Sequence, residues 1–438
     1  MKVSGGIWVG AAAFAMISGQ AMAQLPATPA YVATPYGPSV LGGPEAASVA
    51  DRPRPDFDPL GIRGGSFIFH PTLGVSGTYD TNIFATATRD KSDIYATETP
   101  ALGVQSDWNR HALAFNASGQ FKQYRTFDSE NVNNGATDLR GRFDIANAQY
   151  FVADAGYVLQ HEDRAAPDAP ANAKNPVEYH VAGLYLGYVK EDTRIGFRVD
   201  AAATSYDYNN QSTGTGALVE EQDRDHIEYI IAPRVSYEFM PGYQAFVRAV
   251  GNVRQYNAKD FTTFQALGQS ARRNSKGWEF DVGTAINITR LITAQVYVGY
   301  LHQEYESPLF SNVWSPAFGG NVVWNVTPLT SIRGSASESV VETVLAGSSS
   351  YVESALSAGV EHELLRNVLL LGTVSYLRDD YKGISRTDDT YGADIGARYL
   401  LNRNVRLTAD LAYTTRSSST PGAGFDRGVG TVGVQVGF

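Results

Sequence analysis

From Ser66 to Phe438, apolar residues alternate with polar or small ones in stretches of about 12 to 16 residues, parted by turn residues. In "NVRLTADLAYTTR", Val405, Leu407, Ala409, Leu411 and Tyr413 fall on one side. Arg406, Thr408, Asp410 and Arg416 fall on the other. "GWEFDVGTAINITR" sets Trp278, Phe280, Val282, Ile286 and Ile288 against Glu279, Asp281 and Asn287. "TDLRGRFDIAN" sets Leu139, Phe143 and Ile145 against Asp138, Arg140, Arg142 and Asp144. A period of two belongs to extended strands whose two faces meet different surroundings. Helical spacing fits none of these segments.

The connections alternate in length. Tight turns sit at Trp108-Asn109-Arg110, Met240-Pro241-Gly242, Leu365-Arg366-Asn367 and Asn402-Arg403-Asn404, among others. Between them run the longer polar loops "RAAPDAPANAKNP", "NQSTGTGALVEEQ", "AKDFTTFQALGQSARRNSK" and "RSSSTPGAGF". Short turns at one end and long loops at the other predict an all-β transmembrane antiparallel barrel of the bacterial outer-membrane kind. The segments number about 18, occupy residues 66–438, and leave both chain ends on the short-turn, periplasmic side. No fixed repeat length points to a propeller or solenoid.

The last ten residues, "VGTVGVQVGF", put Phe438, Val436, Val434 and Val432 on one face. As a free edge in water this strand invites aggregation, whereas a closed ring pairs it with the first strand. Phe438 then sits in an aromatic girdle, with Trp324, Phe239, Tyr399 and Tyr413 at similar positions near strand ends. The triplet Phe438, Val436 and Val434 resembles the signal read by the outer-membrane insertion machinery.

Composition narrows the function. The absence of cysteine from 438 residues excludes thiol chemistry and disulfides. A net charge of −10 without any Lys/Arg run argues against a nucleic-acid partner. Lys2, the apolar run Ile7 to Ile17 and Ala21-Met22-Ala23 predict a signal peptide over residues 1–23. Residues 24–65 are rich in proline, alanine and glycine and read as a flexible periplasmic arm, too poor in core residues to form a plug. Beyond the leader no apolar run approaches the about 20 residues of a transmembrane helix.

Chemistry is sparse. The clusters "QHED" (His161 to Asp163) and "EHE" (Glu361 to Glu363) resemble metal or acid–base sites, but neighbours on a strand point to opposite faces. No nucleophile elbow or phosphate-cradling turn is present, so neither an enzyme nor a cofactor is expected, and a hydrolase built from dispersed residues is the least favoured reading. Ionic residues instead gather on the presumed lumen face: Arg140, Arg142, Arg198, Arg234, Arg248, Arg333, Arg398 and Arg406, with Asp144, Asp200, Asp281, Asp394 and Asp410. Arg or Lys facing lipid at mid-bilayer costs roughly 2–4 kcal/mol, which drives them inward. There they either cross-link the wall or line a path that sorts solutes by charge.

"DPLGIRGGSFIFHPTLGVSGTYDTNIFAT" resembles the opening of the outer-membrane family called beta-barrel porin 2, through Asp58, Pro59, Gly61 and Arg63, then Gly65, Ser66 and Phe67, then Pro71, then Tyr79, Asp80, Asn82 and Ile83. The resemblance implies a barrel embedded in outer-membrane lipid. Because some members are encoded beside exopolysaccharide machinery, it also implies polysaccharide export and periplasmic export components as partners. A passive pore for solutes is the other channel reading, and a non-conducting structural barrel the alternative to both.

Overall fold

The computed structural model describes residues 47–438, except 192, 258–271 and 289–290. The predicted signal peptide and the first part of the predicted arm, residues 1–46, therefore lie outside the described residues. Eighteen long strands, from Phe67–Asp80 to Phe425–Gly437, each pair antiparallel with the next. The ring closes where Thr72↔Gly437 through Asp80↔Val429 join the first strand to the last. Closure satisfies the backbone of both terminal strands, which hydrocarbon demands. A three-residue strand, Ile62–Gly64, folds back on Phe67–Phe69 just before the ring begins.

Connections near the chain ends are tight. Gly242 turns one of them at φ +79°, and a Cβ there would lie 2.3 Å from the Asn287 carbonyl oxygen, so only glycine fits. The opposite, extracellular end carries the long loops, among them residues 162–177 and 209–225. The predicted loop 258–276 lies mostly outside the described residues.

Alternation sorts the two faces. Leu73, Val75, Val247, Val282, Ile395, Leu411 and Val432 are exposed on the outside, where lipid covers them. Phe143, Phe151, Phe197, Phe239, Trp324 and Tyr399 form a belt near the turns, and Phe438 joins it. Tyr413 belongs to the other belt, with Trp278, Tyr300 and Tyr391, because its strand runs upward from the turn and reaches it near the loop end. That corrects its placement beside Phe438.

The lower lumen is occupied. Residues 47–58, expected to form part of a free arm, run into the barrel's periplasmic mouth. Val49 and Ser48 are fully buried there. There the wall supplies partners that the arm's composition does not provide within itself.

Candidate functional site: a lumen closed at both mouths

Each predicted lumen residue lies on the inward side of its strand, and most of them are paired within the wall. Arg140 meets Asp154 at 2.6 Å, Arg142 meets Asp144 at 2.7 Å, and Arg198 meets Asp200 at 2.7 Å. Arg248 holds Asp281 at 2.5 Å and Glu279 at 2.7 Å. Arg234 donates to Gln295 Oε1 at 2.9 Å and lies over the Phe246 ring. The Arg140 and Arg248 pairs bridge adjacent strands, those of Arg142 and Arg198 lie along a single strand, and Arg234 reaches past two strands to Gln295. Arg398, Asp394, Asp410 and Arg406 share the inner face of Thr387–Leu400 and Val405–Ser418. Arg333 grips the arm, through Asp51 at 3.2 Å, as well as Glu361 at 3.1 Å.

The extracellular mouth is crossed by loop 162–177, and the bonds that hold it come from around the ring. Glu162 binds Arg224 at 2.7 Å. Arg427, on the last strand, binds Asp163 at 3.1 Å and Asp80, on the first, at 2.6 Å. Arg164 binds Glu130 at 2.9 Å, and the Ala165 carbonyl accepts from Arg416 Nη1 at 2.7 Å. Asp168 accepts from Thr343 Oγ1 at 2.5 Å, on the far side of the mouth. Thr343 opens a second inward loop, 343–349, whose Ser348 and Ser349 are buried and whose carbonyls accept from Arg273 at 3.3 and 3.1 Å.

Two loop carboxyls feel this packing in opposite senses. Burial raises the Asp163 carboxyl, but the Arg427 guanidinium and the Ala165 N–H outweigh it, so Asp163 titrates below its usual range. At Asp168, burial outweighs the help from Arg224 and Thr343, so its pKa is raised.

The arm partly closes the periplasmic mouth, held against one arc of the wall. The Val49 N–H donates to Ser331 Oγ at 2.8 Å, and the Ala50 N–H to Glu361 Oε2 at 2.7 Å. Arg54 reaches Glu363 at 3.0 Å, Arg52 donates to the Pro328 carbonyl, and Arg403 donates to the Pro55 carbonyl at 2.9 Å. The "EHE" motif is thereby explained: Glu361 and Glu363 share the lumen face and hold the arm, while His362 faces away towards Thr330. "QHED" diverges likewise, with His161 near Glu178 at 3.4 Å and Glu162 and Asp163 on separate arginines. Among the described residues no three His, Cys, Asp or Glu are grouped to hold a metal. Between the two closures, inward-facing Asn321, Ser335 and Ser337 stay exposed, leaving a polar chamber.

Residues 54–438 match a family model described as "Putative beta-barrel porin 2". No curated protein matches the sequence. The fold is similar to a crystal structure of the unliganded ferric citrate transporter FecA, at 15% identity and a TM-score of 0.42, covering 83% of this chain and 61% of that one. It therefore spans less than two thirds of FecA. The Pseudomonas aeruginosa protein OpdK, solved with vanillate, matches at 9% identity and a TM-score of 0.46, covering 84% of this chain and 99% of that one. OpdO of the same organism matches at 11% identity and 0.44, with coverage of 84% and 97%.

Proposed function

The chain belongs to the beta-barrel porin 2 family, and on that premise we propose that it is a gated outer-membrane channel. The cargo in this reading is a hydrophilic solute or an extracellular polysaccharide on its way out. One observation carries the proposal: what blocks the lumen is a loop and an arm held by discrete polar bonds, over a polar chamber, rather than wall side chains packed across it. An 18-strand ring is wide enough for an aqueous path once both are displaced. The arm from residue 47 lies at the periplasmic end, where export components would meet it. Phe438, with Val436 and Val434, serves assembly. Deleting Phe438 should lower the fraction of heat-modifiable barrel in the membrane and leave unfolded chain in the periplasm.

Conductance in a planar bilayer tests the gate. Wild-type protein should open rarely, and the double variant Glu162→Gln/Asp168→Ala should show frequent openings of larger unit conductance. In that variant, Arg140→Glu, Arg234→Glu and Arg406→Glu should each shift selectivity towards cations. A barrel that stays silent in both forms favours the second reading, a non-conducting structural protein, which the occupied mouths also support.

A further inference from the structure

Among the described residues, the longest interruption of the wall lies at one seam. Val313–Thr327 and Thr330–Glu342 share a ladder only from Gly319↔Ser337 down to Thr327↔Thr330. On its other side each strand stays paired to its extracellular end, at Val313 and at Glu342. The gap therefore lies between these two strands alone, in the extracellular half.

A proline contributes to it. The Asn325 N–H donates to the Leu291 carbonyl, towards the preceding strand. With no register shift above that point, odd-numbered residues bond the same way and even-numbered ones face the seam. Continuing the register upward sets Pro316 opposite Val340. Proline has no N–H, so the ladder loses a donor there. The Val340 carbonyl instead accepts from Arg254 Nη2 at 3.1 Å, and Glu342 takes bonds from Arg254 at 2.7 Å and from the Tyr305 hydroxyl at 2.9 Å. Arg254 and Tyr305 are lumen residues. The upper end of Thr330–Glu342 has thus swung inside the ring and overlaps its neighbour.

The overlap brings together faces that an unbroken wall keeps apart. Leu301, Val313 and Ala317, on the inner face, pack against Val340 and Val352, which lie on the outward side of their own strands. Ser315 Oγ donates to Glu338 Oε1 at 2.6 Å, and Ser354 Oγ to Glu338 Oε2 at 3.2 Å. Side chains close the seam, not a backbone ladder, so it can part without exposing a row of N–H and C=O groups to lipid. Outside it, Trp314 is 57% exposed and stacks on His302 at 3.7 Å beside Trp278 and Tyr300. Inside it stand Arg254, Glu228 and Glu342.

We infer that this seam is a lateral port joining the lumen to the outer leaflet, suited to an amphiphile with one alkyl chain. The polar head stays among the lumen's charges while the chain passes between Val313 and Val340 into the bilayer. Aromatic rings at the outer rim suit the interface between head group and chain, where such residues concentrate.

The protein has no cysteine, so single thiols report cleanly. Val340→Cys, Val352→Cys and, as a control in intact wall, Ala285→Cys would be reconstituted in phospholipid vesicles and exposed to an N-alkyl maleimide dissolved in the bilayer. Heat-modifiable mobility confirms that each is folded. Labelling at positions 340 and 352 should exceed that at 285 by at least tenfold. In a triple variant that adds Ser315→Cys and Glu338→Cys, oxidation should slow labelling at 352, read by peptide mass spectrometry, at least tenfold, and reduction should restore it. Rates equal to the 285 control, or rates indifferent to the tether, overturn the port. Ion conductance enters neither readout, so this inference and the gated channel fail separately.

Discussion

The two closures of the lumen are built differently. Above, loop 162–177 is held by guanidinium–carboxylate pairs taken almost wholly out of water: the side chains of Arg164 and Glu130 are 9% and 4% exposed, and Asp80 beneath Arg427 is fully buried. Below, the arm has one comparably buried pair, Arg54–Glu363, and otherwise rests on single hydrogen bonds, the buried Val49, and an Arg333–Asp51 pair that is about half exposed on both sides. Buried pairs are strongly interdependent, since losing one partner strands the other charge in a low dielectric. Exposed pairs are worth about 0–1 kcal/mol. The upper closure should therefore open as a unit, and the lower one peel residue by residue.

The most severe way to break this contrast is Arg427→Met. It strands Asp80 and Asp163 together, and we expect a loss of about 3–5 kcal/mol, read as a lower midpoint of heat-modifiable unfolding. Channel openings should rise in parallel. A variant as stable as wild type removes the distinction between the closures.

Acidity gives an intermediate effect. Asp163 has a depressed pKa, so its contribution is present above the ordinary aspartate value of about 3.9 and is lost as pH falls through its lower, folded value. Asp168 has a raised pKa, so its contribution is complete below that ordinary value and shrinks as pH rises through its higher, folded one. Open probability should then pass through a minimum in mildly acid solution. Asp168→Asn should abolish the rise on the neutral side and keep the rise in strong acid. A single monotonic profile in both proteins contradicts the assignment.

The smallest effect belongs to the arm. Asp51→Asn should change stability by no more than about 1 kcal/mol, yet protease added from the periplasmic side should cut near residue 50 faster. A larger loss of stability would mean that the lower closure is as cooperative as the upper.

The strands were legible because lipid outside and charge inside impose a period of two on each of them. Their number followed from the turns, and the outward placement of Val434 and Phe438 followed from parity. What fills the ring was not legible, because its partners are remote in sequence. "EDRAAPDAPANAKNP" reads as an ordinary surface loop until Arg224, Arg416 and Arg427 converge on its first residues. Glu361 and Glu363 gave no hint of the Ala50 N–H, 311 residues away in the case of Glu361. Arg140 and Arg248 could be placed on the inner face, but their carboxylates, Asp154 and Asp281 on the next strand, could be chosen only once the register was known. One usable signal was overlooked. Pro316, in the middle of a strand, marks an edge, and the seam lies beside it.

Arg427 also constrains the order in which the molecule is built. It bonds Asp80 across the join between first and last strands, 347 residues apart, and from the same guanidinium it anchors Asp163. That site exists only when the final strand has been added, because until then its two halves sit on opposite margins of an open sheet. Before that strand pairs, loop 162–177 has its Arg224, Glu130 and Thr343 partners but lacks the Arg427 anchor.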